Sequence, residues 1–325
     1  MSCKIVVAGA GGFIGGHLVK ELLETGEEIV AVDKKPHDEW YQVHPRANNL
    51  RLDLSRRESC ELAVHRAHTI YNLAADMGGM GFIESHKAEC MLSVLINTNL
   101  LRAAEQQDVT RYFYASSACV YAADKQTNPN SMDGLREEDA YPAMPEDGYG
   151  WEKLFSERMC RHFREDFGMT TRIGRYHNVY GPHGTWTGGR EKAPAAICRK
   201  VIEAQIRGVP EIEIWGDGTQ LRSFMFIPDC IQGTLMLTQS DFAEPLNIGS
   251  SESVTINQLV SLAEHFAGIK LKRIYKLDAP KGVNARNSDN TKIKEVLGWE
   301  PSISLLDGLE KTYEWIFNQM KRGTC

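Results

Sequence analysis

Short β-branched runs alternate with amphipathic stretches through the first half of the chain. KIVVAG (4–9), EIVAVD (28–33), TIYNLAA (69–75) and RYFYASS (111–117) read as strands, and helical spacing falls between them near 13–25 and 87–107. This alternation predicts an α/β fold, a Rossmann-type doubly wound parallel sheet covered by helices on both faces. A further helix over 149–167 carries Phe155, Met159, Phe163 and Phe167 at i+4 spacing, and Gly168 is its expected stop. After 182 the loops lengthen and become rich in Gly, Asn and Arg, as in GTWTGGREKAP, WGDGTQLRSF and NARNSDN. The expected division is a nucleotide-binding domain over 1–178 and a smaller mixed α/β substrate domain over 179–325, with the apolar segment near 229–249 returning to the first.

Composition changes this picture little. The 325 residues are 42% hydrophobic and 25% charged, with a net charge of −6, ordinary values for a globular protein. They give no electrostatic reason to expect nucleic acid or a membrane surface, so an anionic ligand must be held by individual cations. The eight cysteines are scattered without metal-like spacing, so free thiols in a reducing cytoplasm are expected, and no metal. The apolar start KIVVAGAGGFIGG holds five glycines and no cleavage site, which argues against a signal peptide. No run approaches the roughly 18 to 20 apolar residues that span a bilayer.

Gly9, Gly12, Phe13, Ile14 and Gly15 follow the first strand and open a helix. Glycines there let the turn tighten and a pyrophosphate approach the helix N-terminus, so a dinucleotide is expected. Asp33, ending the second strand, suits a ribose diol and repels a 2′-phosphate, which favours NAD over NADP; Lys34 and Lys35 work the other way. Asp53 is a candidate for the adenine end, and Leu73, Ala74 and Ala75 follow the strand expected beside the dinucleotide.

Tyr149 and Lys153 share a helix face at i and i+4. A phenol titrates near 10 and is a poor base at neutral pH, so Lys153 and an oxidised nicotinamide are expected to lower it. Ser117 is placed to bond the same substrate oxygen, which makes hydride and hydroxyl-proton transfer the expected chemistry. The thiol of Cys119, two residues on, adds a candidate for proton abstraction from carbon.

GAGGFIG, SSACVY, YGWEK and NVYGP (178–182) resemble the extended short-chain dehydrogenase/reductases that act on nucleotide sugars, and WGDG, RSFMFIPD and NIGS resemble their C-terminal signatures. LAADMGGMGF (73–82), GTWTGGREKAPAA (184–196) and RNSDN (286–290) are similar to a branch of that family that epimerises two carbons of a GDP-sugar. The resemblance implies NAD as cofactor, a GDP-sugar substrate, a homodimer formed through a helix pair, and Cys119 with Lys192 as the acid and base. Oxidation at sugar carbon 4 would acidify the protons on both neighbouring carbons, and inversion needs one group on each face of the ring. Lys192 precedes Pro194, a good first helix residue, and the positive helix end is expected to lower its ammonium.

Lys200, Arg222 and Arg286 are the candidates for the diphosphate. Asn178 and Gln220 are candidates for sugar hydroxyls or phosphates, and Glu191 for the substrate pocket. Met77, Gly78, Gly79 and Met80 are expected to shape the sugar site, while His177 and His183 are read as structural. Rival readings are a 4,6-dehydratase, which in this family has an acidic residue where Cys119 stands, and a 4-epimerase, which leaves Cys119 and Lys192 without a task. A non-catalytic NAD-binding scaffold predicts a damaged Ser/Tyr/Lys set, and this set is intact.

Overall fold

A computed structural model describes residues 3–127, 134–279 and 282–322, without the Met80 side chain. The strands in chain order are β1 (Lys4–Ala8), β2 (Glu28–Asp33), β3 (Asn48–Arg51), β4 (Thr69–Asn72), β5 (Arg111–Ser117), β6 (Thr170–Tyr176) and β7 (Val179–Tyr180). They continue with β8 (Glu211–Trp215), β9 (Leu221–Ser223), β10 (Met225–Phe226), β11 (Leu246–Ile248), β12 (Ser253–Thr255), β13 (Lys272–Lys276) and β14 (Ala285–Arg286). The helices are α1 (Phe13–Leu22), α2 (Arg57–Val64), α3 (Met80–Ser85), α4 (Lys87–Leu92), α5 (Val94–Gln106), α6 (Asp147–Phe167), α7 (Ala193–Arg207), α8 (Ile227–Gln239), α9 (Ile256–Ala267), α10 (Thr291–Leu297) and α11 (Leu305–Arg322).

Seven parallel strands form the main sheet in the order β11-β6-β5-β4-β1-β2-β3. Alternate residues of each strand point to opposite faces. Val6, Ala8, Val30, Val32, Ile70 and Tyr112 therefore pack on one side with Cys60 and Val64 of α2, Leu100 and Ala104 of α5, and Phe163 of α6. Ile5, Val7, Ile29, Ala31, Tyr71 and Phe113 pack on the other with Leu18 and Leu22 of α1 and Leu237 of α8. With both faces covered, the strands carry near-continuous apolar runs. The order reverses between β1 and β4, and such a switch point opens a crevice beyond the carboxyl ends of the strands. Three further small sheets, β12-β9-β14, β13-β8 and β10-β7, lie in the second half of the chain.

Two helices differ from their sequence pattern. The stretch over 87–107 is broken at Ser93, whose hydroxyl accepts the Asp76 amide at 2.9 Å. In α6, which ends at Gly168 with φ +70°, only half of the Phe row packs: Phe163 is buried and Met159 packs against the same core, while Phe155 and Phe167 are 52% and 56% exposed. Beside Leu154, Cys160 and Phe163, the buried face carries Tyr149, Glu152, Lys153, Ser156 and Glu157. Their polar groups are matched by Tyr114 and Ser116 of β5 and Arg175 of β6, so hydrophobicity alone marks only part of the packed side of this helix.

Candidate active site

A cleft of about 790 Å3 opens at the switch point. Gly9, Gly12, Phe13, Ile14, Gly15, Asp33, Asp53, Leu73, Ala74 and Ala75 all line it, as do Ser117, Tyr149, Lys153 and Lys192. At Gly15 a Cβ would stand 2.2 Å from the Gly9 carbonyl oxygen, and at Gly9, where φ is +82°, 2.9 Å from the Ala74 amide nitrogen. Glycine is what allows the first turn, α1 and the chain after β4 to meet here. Asp33 is held by the amides of Gly11 and Lys35, both at 3.1 Å, and Asp53 accepts the Ser55 amide and hydroxyl at 3.0 and 2.7 Å. The lysines after Asp33 are both engaged: Lys34 pairs with Asp76 at 3.1 Å and Lys35 donates to the Gly11 carbonyl at 2.7 Å. Bare backbone at a helix N-terminus followed by a fixed carboxylate is a donor and acceptor set that fits NAD.

Ser117 ends β5, and its hydroxyl accepts the Cys119 amide at 3.2 Å. Glycine again sets the approach of α6, because a Cβ on Gly150 would lie 2.4 Å from the Cys119 carbonyl oxygen. Cys119 and Tyr149 are buried in one cluster with Phe82, Ile83 and Cys90, and Ala75 and Met77 pack against it. Burial pushes the Tyr149 phenol well above 10; Cys119 and Glu152 add to this and the Ser117 hydrogen bond opposes it. The Lys153 ammonium lies 5.5 Å from the centre of the Tyr149 ring, and in the protein alone desolvation outweighs the lowering expected from it.

Burial likewise raises the Cys119 thiol, against the pull of Arg286, the Ser117 hydrogen bond and Lys192. The nearest cation is one that the sequence suggested for the diphosphate: Arg286 Nη1 is 3.4 Å from the sulfur, and its Nη2 pairs with Glu146 at 2.7 Å. Lys192 is the N-cap of α7, with Pro194 in the first turn. It is partly open to the cleft yet ringed by protein, and burial lowers its ammonium, with Arg286 adding and Cys119 opposing.

The three diphosphate candidates are split. Arg222 lies near Arg286, Glu146 and Cys119, and burial lowers its guanidinium to about 10. Lys200 instead donates to the Glu213 carbonyl at 3.0 Å among Glu213, Arg199, Glu191 and Glu203. Glu191 accepts from Arg199 at 3.2 Å and from the Gly189 amide at 2.7 Å, so it ties its loop to α7. Asn178, at φ +37°, donates to the Ser223 carbonyl, and Gln220 donates to the Trp215 carbonyl while its Oε1 is buried without a hydrogen bond. Gly78 lines the cleft; Gly79 abuts the Lys192 segment, its amide donating to the Arg190 carbonyl at 3.1 Å. His177 is fully buried, and desolvation lowers its imidazole to about 3 against the opposing hydrogen bond with Asn247, which leaves it neutral. Asp76, inside LAADMGGMGF, pairs with both Lys34 and Arg190 at the cleft wall, and Glu146, which pairs with Arg286, carries no motif that marks it in the sequence.

A family model described as the NAD dependent epimerase/dehydratase family matches residues 5–249. The chain belongs to that family. Among its relatives is GDP-mannose 3,5-epimerase 1 of Oryza sativa subsp. indica, 47% identical over 98% of this chain and 83% of the relative. In three dimensions the chain resembles UDP-glucose 4-epimerase with UDP-glucose from Thermotoga maritima, with TM-score 0.86 and 25% identity over 98% and 99% of the two chains. It also resembles UDP-glucuronic acid 4-epimerase from Bacillus cereus in complex with UDP-glucuronic acid and NAD, with TM-score 0.82 and 26% identity over 98% and 99%. The likeness to these two structures thus extends over the whole architecture, not the dinucleotide cleft alone. Among the described residues no helix is long and apolar enough to cross a membrane, and no cluster of His, Cys, Asp and Glu could hold a metal.

Proposed function

We infer that this protein is an NAD-dependent isomerase that inverts carbons 3 and 5 of GDP-mannose to give GDP-L-galactose, GDP-L-gulose being the product when only carbon 5 inverts. The observation that carries the reading is the gathering of a buried thiol, Cys119, and a cleft-wall lysine, Lys192, beside Ser117 and Tyr149. Gly9, Gly12, Gly15 and Asp33 would hold NAD, which when bound would supply reversible hydride acceptance at sugar carbon 4. Tyr149, with Lys153 supplying positive charge, accepts the proton of the carbon 4 hydroxyl, and Ser117 donates a hydrogen bond to the oxygen that becomes the ketone. The ketone acidifies the protons on carbons 3 and 5. Cys119 and Lys192 then act from opposite faces of the ring, one removing a proton from carbon and the other delivering one.

In this reading the main sheet holds the cofactor and the second half of the chain the nucleotide sugar, with β11 returning to the sheet. Arg286 serves the thiol first: its charge opposes the desolvation that raises the buried sulfur. A second copy of the chain covers the exposed Met91, Leu95, Trp151 and Phe155 of α4, α5 and α6, giving a homodimer. Product analysis after incubation with GDP-mannose tests the reading, and recovery of unchanged sugar from NAD-loaded protein contradicts it.

A further inference from the structure

Glu152 sits on the buried face of α6 immediately before Lys153 and is only 3% exposed. Its Oε1 accepts two hydrogen bonds, from the Tyr114 hydroxyl at 3.0 Å and the Ser156 hydroxyl at 2.9 Å. Its Oε2 is buried without a hydrogen-bond partner and lies 3.6 Å from Lys153 Nζ. That ammonium is also buried, 4.8 Å from the centre of the Tyr114 ring and 5.5 Å from that of Tyr149. Buried ion pairs are weak stabilisers, because desolvation of both charges offsets their attraction. A carboxylate with one oxygen clamped and the other turned to a lysine of the proton-transfer set therefore calls for a reason beyond stability.

We propose that Glu152 is a positioning residue: Tyr114 and Ser156 fix one carboxylate oxygen so that the other anchors the Lys153 ammonium beside the Tyr149 ring. This rests on the assignment of Tyr149 and Lys153 to proton transfer. The groups that face Tyr149 come from several elements: Glu152 and Lys153 of its own helix, Tyr114 and Ser117 of β5, Cys119 from the turn after it, and Cys90 from α4. Glu152 and Cys119 work against ionisation of the phenol, and the Ser117 hydrogen bond favours it. Glu152 thus has two separable effects, one on where the ammonium sits and one on how basic the phenolate is.

The test uses the NAD-loaded full chain. Glu152→Gln keeps an oxygen for Tyr114 and Ser156 but removes the charge. It should lower kcat by about tenfold or more while KM for GDP-mannose changes little, as expected when a proton-transfer group is misplaced. The acid limb of kcat/KM should also move to lower pH, since the phenolate loses a neighbouring negative charge. Tyr114→Phe, which removes one clamp and keeps the charge, should leave that limb in place. A wild-type kcat and acid limb in Glu152→Gln, or an equal limb shift in Tyr114→Phe, overturns the proposal. Should Glu152→Gln not fold, Glu152→Asp decides: it keeps the charge but draws it back from Lys153, so kcat must fall, and a wild-type kcat overturns the idea. Tyr149→Phe measured alongside separates the two layers, because an active Tyr149→Phe enzyme refutes the proton-transfer assignment. An inactive one, beside an unchanged Glu152→Gln profile, refutes only the role of Glu152.

Discussion

Gly150→Ala adds one methyl group at the contact between the two motifs proposed to be catalytic. The new Cβ would stand 2.4 Å from the Cys119 carbonyl oxygen and 3.1 Å from Pro145 Cβ, about 1 Å inside ordinary contact at the first of these. Neither neighbour yields easily, since one is backbone and the other a ring. Two energies then compete. Overpacking costs about 1–3 kcal/mol, while alanine in a helix interior is favoured over glycine by about 1 kcal/mol. The net loss of stability is about 2 kcal/mol or less, small enough to leave the protein folded. Catalysis has no such compensation: parting the start of α6 from the Cys119 turn by a large fraction of 1 Å moves Tyr149 relative to Ser117 and Cys119. Misplacement on that scale costs about 100-fold in rate. Steady-state kinetics with GDP-mannose, together with denaturant unfolding of the same preparation, separates the two effects. A folded Gly150→Ala protein with kcat within about threefold of the parent would refute the claim that this glycine sets the catalytic geometry.

Two other predictions concern the frame of the site and the assembly. Arg175 is buried, forms two hydrogen bonds to the Glu157 carboxylate at 2.9 and 2.7 Å and one to the Glu137 carbonyl at 2.7 Å. Arg175→Met leaves Glu157 buried without its cation and should cost about 3–5 kcal/mol in denaturant unfolding; a loss below about 1 kcal/mol contradicts this account of the α6 interface. For the homodimer, light scattering at micromolar concentration should give twice the chain mass, and Trp151→Glu with Phe155→Glu should give the monomer. A parent protein that is already monomeric there rules the proposed face out.

The strands and the dinucleotide turn were legible because each is written in consecutive residues. Apolar runs such as EIVAVD coincide with β2, and the glycines after KIVVA open α1. Ser117, Tyr149 and Lys153 could be picked out by chemistry and spacing. The full buried face of α6 could not, since beside Leu154, Cys160 and Phe163 it carries polar groups that acquire their partners only when β5 and β6 arrive. Glu152 and Glu157 read as solvated positions in isolation. Tertiary pairing also reassigns cations: Arg286 looks like any phosphate-binding arginine until the fold brings it to Cys119, 167 residues away in sequence. The upward shifts of Tyr149 and Cys119 have the same origin, for local charges can be guessed from sequence but desolvation depends on the whole packed cluster.

The central claim is that a thiol and a lysine move protons on carbon while Tyr149 moves one on oxygen. It is tested most directly by following deuterium into the sugar during incubation of the NAD-loaded protein with GDP-mannose in heavy water, in the parent and in Cys119→Ala. The parent should take up deuterium at carbons 3 and 5 with the amount of NAD unchanged, and Cys119→Ala should lose that exchange yet still reduce its cofactor transiently. Absence of exchange at both carbons in the parent, or full epimerisation by Cys119→Ala, would contradict the account.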